Sequence, residues 1–474
     1  MEARVIRSGP VRAAVVLLLA VAMSSCMTTR NQRFTEIDQA ATIGEYEQAA
    51  ESVDSQEEQL YTRRDALLYY LDSGTLHFYA GHYDTSIQRF HEAERLIEEL
   101  FTVSVSQAAS TFLLNDNAQD YSGEDFEDIY LNVFKAISFL EQGNPEGAFV
   151  EIRRINTKLN LLEDKYVGLA QQYSRADEAS VEVEPGDARF YNSALGRYLS
   201  LILYRSDGDY DDARIDWEEI QEAYLEQSTL YDFPLPLDQS VIERPDGARL
   251  SVLAFSGRAP LKRAVTLRIL TRPDVAFIEY DQENTEGQLI PQGYGRIAFP
   301  GIEGGYTFKF QLPRMELRGS EVDRIRVLAD GRTLGDLALF EDIERIAQDT
   351  FQIKQPLIFI KTVTRALVKG IAAERGKEEM EKAGAESGTL LGLAAGIAGS
   401  VAADVAVEAS EQADLRVSRY FPAYAHVGEW DLEPGTYDIA VEYYAGPALI
   451  HVDRFPETMV GEDGPNLVTS VYNN

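Results

Sequence analysis

The chain has 474 residues, 45% of them hydrophobic, enough for a sizeable core, and this length suggests about three domains. Its 44 basic and 78 acidic side chains give a net charge of −34, and because residues 1–25 hold three arginines and one glutamate, the remainder balances 41 against 77, or −36. Such a surface repels phosphate backbones and anionic lipid heads, which argues against nucleic-acid binding, and a single cysteine excludes any disulfide within the chain.

Arg4, Arg7 and Arg12 precede an apolar run from Ala13 to Met23. Eleven residues are too few for a bilayer span, which needs about 20, so the run reads as the core of an export signal. It ends in Met23-Ser24-Ser25-Cys26, which contains the one cysteine of the chain. Small residues before a cysteine at the end of an apolar run resemble the lipobox of bacterial lipoproteins. In that family the chain is cut before the cysteine, and the new terminus carries fatty acyl groups such as palmitate. Each buried CH₂ contributes about 0.8 kcal/mol, so two or three acyl chains hold firmly where one does not. The resemblance implies a signal peptide over 1–25 and lipidation of Cys26. With Met27 rather than Asp next, it implies an outer-membrane anchor facing the periplasm. An ordinary secretory signal is the alternative.

From Asn31 to about residue 230 the apolar pattern is helical and is broken by a recurring turn. It reads Gly44-Glu45-Tyr46-Glu47-Gln48-Ala49, Gly81-His82-Tyr83-Asp84-Thr85-Ser86, Gly143-Asn144-Pro145-Glu146-Gly147-Ala148 and Gly208-Asp209-Tyr210-Asp211-Asp212-Ala213. Glycine ends one helix, the residue two on starts the next, and a small residue three later lets the two approach closely. This is the centre of a tetratricopeptide-like helix hairpin, and residues 26–235 are expected to form a tetratricopeptide-like α-solenoid. A plain helical bundle is the alternative, because only the first glycine spacing is near that repeat's period of about 34. Leu131, Phe134, Ile137, Ser138 and Phe139 before the third turn, and Phe149, Ile152, Ile155 and Leu159 after it, form stripes that should pack together. Beside them, Glu151, Arg153, Arg154 and Asn156 are candidates for partner binding on a concave face or for pinning the preceding loop, with Arg154 able to grip Glu124 or Asp125 in a fork. A solvated helix face is the plainer reading.

Several stretches also resemble a group of uncharacterised bacterial envelope lipoproteins. They are Leu113-Leu114-Asn115-Asp116-Asn117, Tyr121-Ser122-Gly123-Glu124-Asp125-Phe126-Glu127, Glu151-Ile152-Arg153-Arg154-Ile155-Asn156, Asp342-Ile343-Glu344-Arg345-Ile346-Ala347 and Gln412-Ala413-Asp414-Leu415-Arg416. Leu415 stands where that group is expected to carry threonine. The resemblance spans most of the chain beyond residue 26 and implies an envelope role beside the cell-wall synthesis machinery. It supplies no catalytic residue.

After Pro234, Pro236 and Pro245 the period becomes two. Tyr306, Phe308, Phe310 and Leu312 alternate with Thr307, Lys309 and Gln311, and Tyr437, Ile439, Val441 and Tyr443 with Asp438, Ala440 and Glu442, so each stretch predicts a strand with one buried face. Strands are also predicted at 249–255, 264–270, 275–280 and 324–328, with turns at Asp330-Gly331 and Pro434-Gly435. Residues 245–474 are therefore expected to form a β-sandwich-like domain, making the whole α+β. A helical insertion at about 340–410 is expected to interrupt it, with helices over 340–353 and 357–382 separated at Pro356. Within it Gly388, Gly392, Gly396 and Ser400 recur every fourth position and form a small-residue ridge suited to helix self-packing. The uncharged run of seventeen residues around them is shorter than a bilayer span.

His77, His82 and His91 are close in sequence, but 77 and 82 fall about 140° apart on a helix and across a glycine, so no metal site is expected. No G-x-S-x-G elbow or phosphate-binding G-x-x-x-x-G-K occurs, and Gly293-Tyr294-Gly295 reads as a turn before a strand. The expected protein is a non-enzymatic, lipid-anchored scaffold that binds other envelope proteins and uses no cofactor. A cell-wall or carbohydrate hydrolase using paired acidic residues, and an oligomeric export or pore component using the glycine ridge, are the alternatives.

Overall fold

The computed structural model describes residues 33–107, 114–173, 184–283, 289–299, 302–386 and 412–474. Ten helices lie among them, nine before residue 230: α1 (33–42), α2 (Tyr46–Ser55), α3 (Glu57–Leu60), α4 (Ala66–Tyr79), α5 (Tyr83–Gln107), α6 (Asp125–Glu141), α7 (Pro145–Tyr173), α8 (Ala194–Ser206) and α9 (Tyr210–Glu226). The chain is thus α+β, helical first and sheet-rich after.

The recurring turn forms as its residues predict. Gly44, Gly81, Gly143 and Gly208 have φ of 84°, 76°, 68° and 76°, the left-handed cap that glycine adopts without a Cβ clash. The next N–H closes back on the carbonyl five residues earlier each time, as from His82 to His77 at 2.8 Å and from Asn144 to Phe139 at 2.8 Å. Tyr46, Tyr83, Pro145 and Tyr210 each begin the following helix. Ala49, Ser86, Ala148 and Ala213 are each wholly buried where that helix packs on its neighbour. Close approach is tight between α4 and α5, where a Cβ on Gly74 would lie 2.9 Å from the Phe90 ring, and between α6 and α7, where one on Gly147 would lie 2.8 Å from the Phe139 ring.

Helix α6 is buried nearly all round, which marks it as the centre of the molecule. Its Phe134 ring meets Phe78 at 4.7 Å and Phe90 at 6.1 Å from the helical half, and Phe255 at 5.3 Å and Phe421 at 5.5 Å from the half beyond. One continuous core therefore contains residues of both halves.

The strands are β1 (Ala248–Ser256), β2 (Leu261–Arg272), β3 (Val275–Glu283), β4 (Leu289–Ala298), β5 (Thr307–Glu316), β6 (Arg324–Ala329), β7 (Arg332–Asp342), β8 (Tyr424–Leu432), β9 (Gly435–Ala445), β10 (Ala448–Val460) and β11 (Leu467–Tyr472). Seven form a sheet in the order β10-β9-β6-β7-β8-β1-β11, and four form another in the order β4-β3-β2-β5. In the first, β1 is buried on both faces: Leu253 and Phe255 join the helical core, while Ala248, Leu250, Val252 and Ala254 join a second core with Ile439, Val441 and Tyr443. The sheet curls until its edges meet, Asp453 of β10 accepting from Ser470 Oγ at 2.6 Å and the Val471 N–H at 3.2 Å in β11. The second sheet rests on a helix, α10 (Ile343–Glu386), through Phe308, Phe310, Val363 and Leu367, and a Cβ on Gly370 would overlap the Phe308 ring. The two sheets thus line separate cores, whereas the two sheets of a sandwich share one.

Three local expectations are corrected. Residues 340–342 end β7, and α10 runs through Pro356 without a break. The proline removes the N–H that would bond the Gln352 carbonyl, and the loop at Gly186 docks there instead, its N–H donating to Ile353 O at 2.8 Å. A Cβ on Gly186 would lie 2.7 Å from Gln352 O, so glycine lets the loop reach the opened helix face. Gly293-Tyr294-Gly295 lies inside β4, where Gly293 and Gly295 pair with adjacent residues of β3 and Tyr294 is the extra residue of a bulge. The Asp330-Gly331 turn forms as expected between β6 and β7, with φ of 49° and 74°.

Candidate functional site

The amino terminus of α6 collects carboxylates, as the exposed N–H groups of a helix start favour. Glu124 and Glu127 form a capping box, the Glu124 N–H donating to Glu127 Oε2 at 2.7 Å. Their environments then diverge. Glu124 takes Lys262 of β2 on one oxygen and Lys354 of α10 on the other, the latter at 2.6 Å. Asp125 takes Lys165 at 2.6 Å and the Tyr166 hydroxyl at 2.5 Å. Burial raises the Asp125 carboxyl, but Lys165 and Lys354 outweigh it and hold the group below the usual carboxylate range.

Glu127 is fully buried and is bonded by neutral donors, the Tyr121 hydroxyl at 2.7 Å and the Ser418 N–H at 2.5 Å besides its cap. Burial, reinforced by the charge of Glu124, pushes it up to about 7. Asp72 of α4 grips the same returning segment through the Ser418 hydroxyl at 3.0 Å and the Arg419 N–H at 2.8 Å, and burial pushes it up to about 6.

Three of the stretches singled out in the sequence, 113–117, 121–127 and 412–416, meet on this seam. Asn115 and Asn117 donate to the carbonyls of Gln412 and Ala413 at 3.2 and 3.0 Å. Arg416 pairs with Asp414 at 2.8 Å and donates to the carbonyls of Asp116 and Gln119 at 2.9 and 3.0 Å. Next to the Asp342 stretch, the buried Glu341 receives the Tyr130 and Tyr231 hydroxyls at 2.6 and 2.7 Å and the Leu195 N–H at 3.0 Å. A further tie links Arg205 of α8 to Glu429 of β8 at 2.7 Å.

On the face of α5, α6 and α7 the structure brings together two of the four candidate residues. Glu151 and Glu94 share Lys135, each at 2.8 Å, and Arg154 joins Glu94 at 2.6 Å and Glu151 at 3.4 Å. Arg154 therefore pins no preceding loop: Glu124 and Asp125, its expected partners, are held by lysines. Arg153 is exposed and Asn156 half-buried. Burial would raise Glu94, but Lys158 and Lys135 overcome it and keep the carboxyl well below the usual range.

His77 and His82 do come together, Nδ1 to Nδ1 at 3.1 Å, with Asp54 on His77 at 3.0 Å and Glu47 on His82 at 3.0 Å. The helical angle between them does not apply, because Gly81 reverses the chain before α5. Among the described residues no group of three or more His, Cys, Asp or Glu is arranged to hold a metal ion, and no helix is long and apolar enough to cross a membrane. Cys26 and the ridge Gly388, Gly392, Gly396 and Ser400 lie outside the described residues.

Sequence reasoning missed Lys262, Lys354 and Lys361. The last two are seven apart on α10, on the face that also carries Leu357 and Ile358, and charge at a core-facing spacing was the available signal.

The two raised carboxyls set a pH dependence. Their folded values exceed the ordinary 4.5 of Glu127 and 3.8 of Asp72, so the native state binds protons more tightly. Their contribution to stability is complete below those ordinary values and is lost as pH rises through about 6 to 7. The stability of wild type relative to Glu127→Gln should fall by up to about 3 kcal/mol between pH 4.5 and 7.5. Urea unfolding at several pH values measures it, and a flat or rising difference contradicts the assignment.

The fold and the seam define an α+β protein in which helical hairpins are locked to a curled sheet by buried carboxylates. No family model, curated protein or solved structure matches this chain.

Proposed function

We propose that the protein is a lipid-anchored scaffold of the bacterial cell envelope, a member of the lipoprotein group it resembles, binding other envelope proteins without catalysis of its own. The observation that carries this reading is Met23-Ser24-Ser25-Cys26 closing a short apolar run behind three arginines. Acyl chains on Cys26 would hold the remaining chain at a membrane surface, in this reading the periplasmic face of the outer membrane. The helical half, residues 26–235, acts as a tetratricopeptide-like α-solenoid that offers a binding face, and residues 245–474 as a β-rich domain with α10 as its helical insertion. Support for a binding face comes from a groove of about 330 Å³ lined by α5, α6 and α7. Its floor includes Ile97, Phe101 and Leu161, with Leu161 55% exposed, and Glu98 and Lys165 are among its charged walls. Apolar floors with charged rims suit peptide segments of other proteins. The family neighbourhood points to cell-wall synthesis for those partners.

The test is metabolic labelling with an alkyne fatty acid, followed by fractionation. Wild type should carry the label and sediment with membranes, and Cys26→Ser should lose both. An unlabelled, soluble wild type overturns the reading. For the binding face, a photocrosslinker at position 161 should give a discrete adduct in envelopes that one at the exposed Leu225 of α9 does not; equal patterns at both positions remove this role.

A further inference from the structure

Where the halves meet, the seam leaves a cavity of about 410 Å³ between the loop before α6, the end of α7, β2, β5 and α10. Its charge runs against the rest of the chain. Five cations line it, Lys165, Lys262, Lys354, Lys361 and Arg416, against four carboxylates, in a protein whose acids outnumber its bases 78 to 44. We propose that this cavity binds a small organic anion, a sugar-sized molecule bearing a phosphate or carboxylate, on Lys262 and Lys354.

The argument rests on how those two ammonium groups are used. Both are drawn to the single carboxylate of Glu124, one on each oxygen, with Asp125 and Glu127 also acting on Lys354 and Asp414 on Lys262. Their side chains are only 5% and 16% exposed, so water satisfies them poorly. An ammonium has three N–H donors, and the one carboxylate of Glu124 cannot satisfy the six of the two lysines. Both lysines line the cavity, where an anionic oxygen would take up donors that Glu124 does not. Asp125 does not serve as that anion, because Lys165 and Tyr166 already occupy its two oxygens. Tyr121 lines the cavity, with Lys262 Nζ 5.6 Å and Arg416 Cζ 5.4 Å from its centroid. The volume falls within the roughly 300–1,000 Å³ of small-molecule sites. Because the walls come from the helical loop, the sheet and α10 together, a ligand here would tighten the joint between the halves.

The test titrates the full chain in detergent with four probes: glucose 6-phosphate, glucuronate, inorganic phosphate and uncharged glucose. Calorimetry should detect one or both charged sugars, binding at least tenfold more tightly than inorganic phosphate, and should detect no glucose. Glucose 6-phosphate alone assigns a phosphate headgroup, and both assign a general anion. The bound sugar should raise the thermal midpoint. Lys354→Met should weaken binding at least tenfold. Should that variant fail to fold, Ser122→Trp fills the rim from an exposed position outside the ion pairs and should abolish binding. No binding by either charged sugar, glucose bound as tightly as they are, inorganic phosphate matching them, or wild-type affinity in Ser122→Trp overturns the proposal.

Discussion

Lys135→Met is expected to destabilise the protein by about 3–5 kcal/mol, the range for removing one partner from a buried ion pair. The ammonium is fully buried between Glu94 and Glu151, whose side chains are 9% and 3% exposed. Methionine keeps the stem and removes the charge, which leaves two carboxylates facing each other. Asn132, which donates to Glu94 at 2.9 Å and to Glu151 at 2.7 Å, cannot supply the missing charge. Lys158 and Arg154 still hold Glu94 closely, whereas Arg154 reaches Glu151 only at 3.4 Å, so the loss should fall mainly on Glu151. Adding Glu151→Gln should therefore recover part of the stability. The urea midpoints of the two single variants and the double variant give the coupling directly. A cost below about 1 kcal/mol for Lys135→Met, or a double variant no better than the single, would show that the network carries no such strain.

Phe134→Ala should cost a similar amount, about 3–5 kcal/mol, since a large side chain leaves a cavity its surroundings only partly refill. Its ring is wholly buried and touches aromatic rings from α4, α5, β1 and the segment before β8. The collapse that limits such a cost elsewhere is resisted here by neighbours on four different elements. The two halves should also unfold together, in the variant as in wild type. Far-ultraviolet dichroism follows the helices, and the fluorescence of Trp430 in β8 follows the sheet, with the second tryptophan, Trp217 of α9, replaced by phenylalanine. Coincident transitions shifted to lower urea are expected, and separate ones would mean that the shared core does not couple the halves.

Much of the local architecture was legible because it depends on residues close in sequence. A glycine that must turn left-handed, a helix start two residues on and a small residue three further form one local unit, and all four copies formed. Alternation at Phe308 and Phe310, or at Ile439 and Val441, marks a buried strand face for the same reason. Local rules failed where a distant segment intervened. Pro356 reads as a break until the Gly186 loop takes up the opened helix face. His77 and His82 read as unrelated until Gly81 folds one helix back on the other.

The amino-acid sequence by itself determined the class, helices then strands, the turns between them, and the cysteine that directs the functional reading. Those follow from backbone conformation and apolar period, which act over a few residues. Which carboxylate meets which cation was decided only by the tertiary structure. Glu124 finds Lys262 and Lys354, more than a hundred residues away, and Arg154 finds Glu94 instead of Glu124. Charge has no period along a chain with 78 acids, and burial, which makes a pairing matter, exists only once the halves have closed on each other.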